Sequence, residues 1–255
     1  MKPVALDKIV VSMNAELRVA ELPDYPNALN GLQLASATGT VSKVAAAVDA
    51  CLPVVRQAAE RGADLLLVHH GIFWAGLQRL EGAAFEKMRT AVGANIAIYS
   101  AHIPLDVHPR LGNAVVLAKA LGMTKTRPFF SWKGINLGLR ADVSLERDVL
   151  VTKVRSVIGG GAVHVCPGGP PRVKKVGIVT GGAGGEVAQA AAEGVDTFIT
   201  GEGPHWSYTL AEELGVNLIY AGHYATETFG VRKLAGWLER KFGLPHIYID
   251  HPTGL

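Results

Sequence analysis

The chain has 255 residues, 49% of them hydrophobic, which is enough for one large or two small α/β domains with real cores. Its formal net charge of +3 is scattered, with Lys174-Lys175 and Arg240-Lys241 the densest spots, so nucleic acid is not expected as a direct ligand. Two cysteines without CxxC spacing, Cys51 and Cys166, read as free thiols in a reducing compartment; with no signal-like start and no apolar run near the ~20 residues of a membrane span, a cytoplasmic protein that does not enter the membrane is expected.

In chain order, the pattern predicts strands at Val44–Asp49, Asp64–His69, Asn95–Ala101, Asn136–Asp142, Val163–Cys166, Val173–Thr180, Asp196–Thr200, Asn217–Ala221 and Ile247–Asp250. Helices are predicted at Cys51–Arg61, Phe85–Val92, Asn113–Ala120, Leu145–Val157, Gly185–Ala192, Ser207–Glu213 and Thr226–Phe242. Several end on glycine, as in Arg61-Gly62 and Phe242-Gly243. Unbroken apolar runs such as Leu65-Leu-Leu-Val68 suit strands buried on both faces of a largely parallel sheet. The class is therefore α/β. Met123–Gly134 breaks the alternation and reads as a seam, which divides the chain into two α/β domains, 1–125 and 126–255.

Polar residues gather at the carboxyl ends of these strands, where open α/β sheets keep their ligands. His69 and His70 end one strand, His102 ends the next, and Asp106 follows four residues later. Thr200-Gly-Glu202 ends another, with His205 close behind, and His223 ends a fourth with Glu227 one helical turn on. Six of the nine histidines (His69, His70, His102, His108, His205 and His223) occupy these few positions. Adjacent histidines on an extended strand point to opposite faces, so one ion can take both only if the chain turns at Gly71. Imidazole and carboxylate without thiolate suit Zn, Fe, Mn, Ni or Co. Three histidines and two carboxylates exceed what one catalytic zinc takes, and two divalent ions with Glu227 as the bridge would use the set.

Two features are less specific. Thr180-Gly-Gly-Ala-Gly-Gly185 follows a strand and precedes a helix; a tight turn is the favoured reading, and an anion cradle the other. Asn30-Gly-Leu-Gln33 reads as a polar, exposed loop whose role physics alone does not give.

Asn30-Gly-Leu-Gln33, His69-His70-Gly-Ile-Phe-Trp74, Ala101-His-Ile-Pro-Leu-Asp106, Thr200-Gly-Glu202 and Ala221-Gly-His-Tyr-Ala-Thr-Glu227 stand in an order that resembles the NIF-three-like family, often labelled GTP cyclohydrolase I type two homologues. The length resembles the short bacterial form. The resemblance implies two α/β domains with a dinuclear metal centre in the cleft between them, held by His69, His70, Asp106, His223 and Glu227, with His102 beside it. It also implies a ring-shaped homohexamer. His205-Trp206 stands where many relatives carry His-His, and Ile103-Pro104 where many carry Thr-Asn. The expected function is metal-dependent hydrolysis of a small molecule such as a purine nucleotide, with His102 or Glu202 moving protons. The rival expectation is a non-enzymatic, metal-binding hexameric adaptor or regulator.

Overall fold

The computed structural model describes residues 2–255. In chain order its elements are β1 (Val4–Ala5), α1 (Leu6–Leu17), β2 (Gly31–Leu34), β3 (Thr40–Val41), β4 (Val44–Asp49), α2 (Leu52–Glu60), β5 (Leu65–His70), α3 (Gly82–Gly93), β6 (Ala97–Ser100) and α4 (Ile103–Asp106). There follow α5 (Asn113–Ala120), β7 (Thr126–Trp132), β8 (Ile135–Glu146), α6 (Arg147–Val157), β9 (His164–Pro167), β10 (Arg172–Ile178), α7 (Val187–Ala192) and β11 (Thr197–Thr200). The chain closes with α8 (Trp206–Glu213), β12 (Asn217–Tyr220), α9 (His223–Phe242) and β13 (His246–Tyr248). Contacts divide these into two units. The first runs to Leu105 and takes back Gly230–His251; the second is Asp106–Phe229 with Pro252–Leu255.

The first unit is built on a five-stranded sheet of order β13-β4-β5-β6-β2. Its β13, β4, β5 and β6 are parallel, and β2 closes the edge antiparallel to β6. Every residue of Leu65–His70 and Ala97–Ser100 is buried, as strands covered on both faces must be. Ala45, Ala47, Leu66, Val68 and Ile98 form one side of a core completed by Val54, Val55 and Ala58 of α2 and Ala91 of α3. Helix α1 buries Leu6, Ile9, Met13 and Leu17, a stripe at helical spacing, and its Asn14 Oδ1 accepts the Tyr99 hydroxyl at 2.8 Å. Helix α9 contributes buried Val231, Leu234, Ala235 and Leu238, and its Arg232 guanidinium lies over the Tyr248 ring of β13.

The second unit carries a six-stranded mixed sheet of order β7-β8-β10-β11-β12-β9. Only its centre, β10-β11-β12, is parallel. The expected seam at Met123–Gly134 is ordered structure instead: β7 and β8 form a hairpin across Lys133-Gly134, whose positive φ angles of 44° and 83° are those of a two-residue turn. Pro128 and the flanking charges that make this stretch read as a break are tolerated because β7 is an edge strand. Phe130 adopts φ 70°, and the Glu193 carboxylate accepts its N–H at 2.8 Å and that of Ser131 at 3.0 Å. Both Phe129 and Phe130 are thereby buried, against the strict alternation of a regular strand. The sequence pattern announces neither β1, β2 and β3 nor α1 and the short α4.

Candidate metal centre

In the first unit, the strand ends meet the expectation of a polar rim. Asp49 ends β4, His70 ends β5 in register with it, and His102 follows β6. The chain does turn after His70, and the His69 and His70 ring centroids lie 4.9 Å apart although the residues are neighbours on one strand. His102 stands 4.8 Å from His69, ring to ring, and one donor atom from each of the three lies within 4.8 Å of the others. All three rings are buried, and Trp74 stacks on His70 at 4.6 Å.

What the second ring nitrogen of each histidine does is decisive. His69 Nδ1 is 2.9 Å from the Ala101 carbonyl, His70 Nδ1 is 2.9 Å from Asp49 Oδ1, and His102 Nδ1 is 2.8 Å from Asp24 Oδ1. Carbonyls and carboxylates only accept, so each Nδ1 donates and the Nε2 of a neutral ring keeps its lone pair. Metal-ligating histidines are held in this manner, by an acceptor behind the ring. His108 contrasts with them: its Nδ1 accepts the N–H groups of Arg110 and Leu111 at 3.2 and 3.0 Å, which makes it a turn residue.

The turn that gathers the rings is imposed by Asn30-Gly-Leu-Gln33, which is not an exposed loop but part-buried, with Gly31–Leu34 forming β2. Gln33 Oε1 accepts the Ile72 N–H at 2.7 Å, while its Nε2 donates to the Ala28 and Leu29 carbonyls. A Cβ at Gly71 would overlap the Gln33 amide, which its three hydrogen bonds hold in place. Asn27 Nδ2 donates to the Trp74 carbonyl, and Asn30 Oδ1 accepts the His102 N–H at 2.7 Å. Sequence reasoning singles out neither Asp24 nor Asp49. Asp49 does carry a signal, because it too ends a strand; Asp24 lies in an irregular segment and has none.

In the second unit, His223 and Glu227 occupy the first two turns of α9, one turn apart, with Glu227 buried. His223 follows the same rule as the others: Nδ1 is 2.8 Å from Glu202 Oε1, and Nε2 faces Glu227 Oε2 at 3.2 Å. Burial works against a charged imidazole here, but the two carboxylates outweigh it and push the His223 pKa up to about 9. Asp106 ends α4, accepts Asn113 Nδ2 at 2.7 Å, and lies 3.4 Å from the Thr180 hydroxyl that donates to it. Gly181, at φ 72°, packs against Glu227 and leaves no room for a Cβ.

The glycine loop is a tight turn rather than an anion cradle. The N–H groups of Gly181, Ala183 and Gly184 donate to Thr226 Oγ1, Thr200 Oγ1 and the Glu202 carbonyl. The Gly181 carbonyl in turn accepts the Gly201 and Glu202 N–H groups at 2.8 and 3.0 Å. Thr180–Gly185 and Thr200–Glu202 are laced together and present Glu202 to His223. His205 lies exposed at the start of α8, outside this lacing. Cys51 and Cys166 are free thiols, as expected. Among the described residues, no helix is long and apolar enough to cross a membrane.

Comparison with known proteins agrees with the motifs. The sequence profile of Duf34/NIF3 (NGG1p interacting factor 3) matches residues 4–253. A Deinococcus radiodurans protein named GTP cyclohydrolase 1 type 2 homolog is 41% identical over 257 residues, covering 99% of this chain and 95% of its own. The crystal structure of TTHA1606 from Thermus thermophilus superposes with a TM-score of 0.88 at 39% identity, over 99% of this chain and 100% of that one. Protein ybgI gives a TM-score of 0.91 at 32% identity, over 99% and 100%. The chain belongs to the Duf34/NIF3 family.

Proposed function

We propose that the protein is a metal-dependent hydrolase of a small molecule. The observation that carries this is the uniform treatment of four histidines, each with Nδ1 on an acceptor and Nε2 turned to a cluster of further donors. His69 and His70 in the first unit, and Asp106, His223 and Glu227 in the second, are the ligands of this reading, and two divalent ions are its stoichiometry. When bound, such ions supply Lewis acidity and a nucleophilic water at neutral pH. His102 exchanges a proton at Nε2 while Asp24 holds its other nitrogen; Glu202 keeps the His223 ring in its ligating orientation.

The name carried by the relatives supports a purine nucleotide as substrate, with GTP as the first compound to test. Metal content by plasma mass spectrometry and GTP consumption by liquid chromatography–mass spectrometry should both be measured on metal-reconstituted protein. Glu227→Gln is expected to lower metal content and to abolish turnover. Undiminished turnover in that variant, or in metal-stripped protein, would overturn the mechanism.

A second reading, a metal-binding hexameric adaptor without turnover, has one observation in its favour. Leu77 and Leu80 are exposed on the segment after Trp74, with Phe85 exposed at the start of α3. Bound metal with no turnover of any nucleotide or phosphoester, in a protein whose light-scattering mass is that of a hexamer, would select it.

A further inference from the structure

Asp24 has no counterpart among the motif residues, yet its side chain is only 8% exposed and four donors converge on it. Oδ1 accepts from His102 Nδ1 at 2.8 Å and from the Tyr25 N–H at 2.7 Å. Oδ2 accepts from the Ile103 N–H at 3.0 Å and from Asn30 Nδ2 at 2.7 Å. With donors on every side the group must be acceptor-only, which a carboxylate is and an amide is not. Asn30 then uses its own Oδ1 to take the His102 N–H at 2.7 Å. The Asp24–Asn30 pair therefore grips His102 twice, at the backbone and at the ring. Tyr25 and Trp74 flank that ring at 6.2 and 4.4 Å.

A plain structural role would be to cap the short α4 through the Ile103 N–H. Capping alone needs one acceptor, which serine or asparagine provides equally well. It does not call for a second oxygen on an imidazole, nor for a buried charge that is costly unless fully hydrogen-bonded.

We propose that Asp24 is a positioning residue for His102, locking the ring as the Nδ1–H tautomer so that Nε2 is the nitrogen left with its lone pair. The assignment rests on the hydrolase reading above for its catalytic meaning, but its geometry can be tested without turnover. Long-range ¹H–¹⁵N correlation spectra of the zinc-reconstituted protein, at mildly alkaline pH, report which imidazole nitrogen carries hydrogen. The His102 signal is identified by its absence in His102→Gln. Wild type is expected to show hydrogen on Nδ1 only. In Asp24→Asn two of the four donors must face an NH₂ group, so the ring is expected to shift towards Nε2–H or a mixture, and Asp24→Glu to restore part of the Nδ1–H form. With a turned-over substrate, Asp24→Asn should lower kcat about 10–100-fold at unchanged metal content.

Hydrogen on Nε2 of wild-type His102 would overturn the assignment, and that measurement needs no variant to fold. An unchanged Nδ1–H signal in Asp24→Asn would also overturn it. Failure of the hydrolase reading looks different: the wild type would then lack metal or turnover, while the tautomer spectra would still decide the role of Asp24.

Discussion

An imidazole lends one nitrogen to a ligand only if the other is occupied, so the groups behind the rings matter as much as the rings. Ala101, Asp49, Asp24 and Glu202 fill that position for His69, His70, His102 and His223. The rings themselves are legible in the sequence because histidine is rare and these lie at strand ends. Their supports are mostly not legible, because a carbonyl has no sequence signature and Asp24 is distant from His102 in the chain. His223 gives a pH prediction. Its folded value of about 9 lies above the 6.5 of an unperturbed imidazole, so in metal-free protein its contribution to stability is complete below about 6.5 and fades as pH rises through 9. Glu202→Gln removes one of the two carboxylates that raise it. Thermal melts of the metal-free variant from neutral to alkaline pH should show a smaller alkaline decline, ending at lower pH, than wild type; coincident curves would contradict the pairing. Asp24 works in the opposite sense: burial raises its pKa, but the hydrogen bonds from His102, Asn30 and Tyr25 outweigh this and hold it below 3.8. Its stabilising contribution is present above that value and is lost in stronger acid.

At the scale of elements, the buried parallel strands and the glycine-terminated helices are readable because long apolar runs and C-terminal glycines are strong local signals. Strand β7 is not, since its Pro128 and charges are edge-strand features and its two phenylalanines defeat the period of two. Strand β2 is hidden by glycine and asparagine around it. The two glycines that carry the site act through space rather than through flexibility alone. Gly181→Ala would set a methyl group against Glu227 at a backbone angle that also disfavours alanine. It is expected to lower metal content as Glu227→Gln does, while leaving the circular dichroism spectrum intact. Metal content equal to wild type would show that Glu227 can move aside without loss. On α9, Leu234→Ala removes a fully buried side chain and should cost about 2–5 kcal/mol in urea unfolding, with a much smaller effect expected from exposed Lys233.

For the whole molecule, the sequence suggests a division at 125/126, while contacts group the chain discontinuously: β13 pairs with β4, and Gly230–His251 falls with the first unit. No local pattern announces such a return; it follows from β4 having a free parallel edge that a later strand can fill. Helix α9 starts in one unit and ends in the other, with His223 and Glu227 at its beginning and Val231, Leu234 and Leu238 further on. This threading has a consequence for biosynthesis. As the chain leaves the ribosome, residues up to Leu105 emerge first but lack the strand that completes their sheet, whereas Asp106–Phe229 is nearly all present before that strand is made. The sheet begun earlier in the chain thus stays incomplete while the later one forms, with the edge of β4 open until His246–Tyr248 has been made.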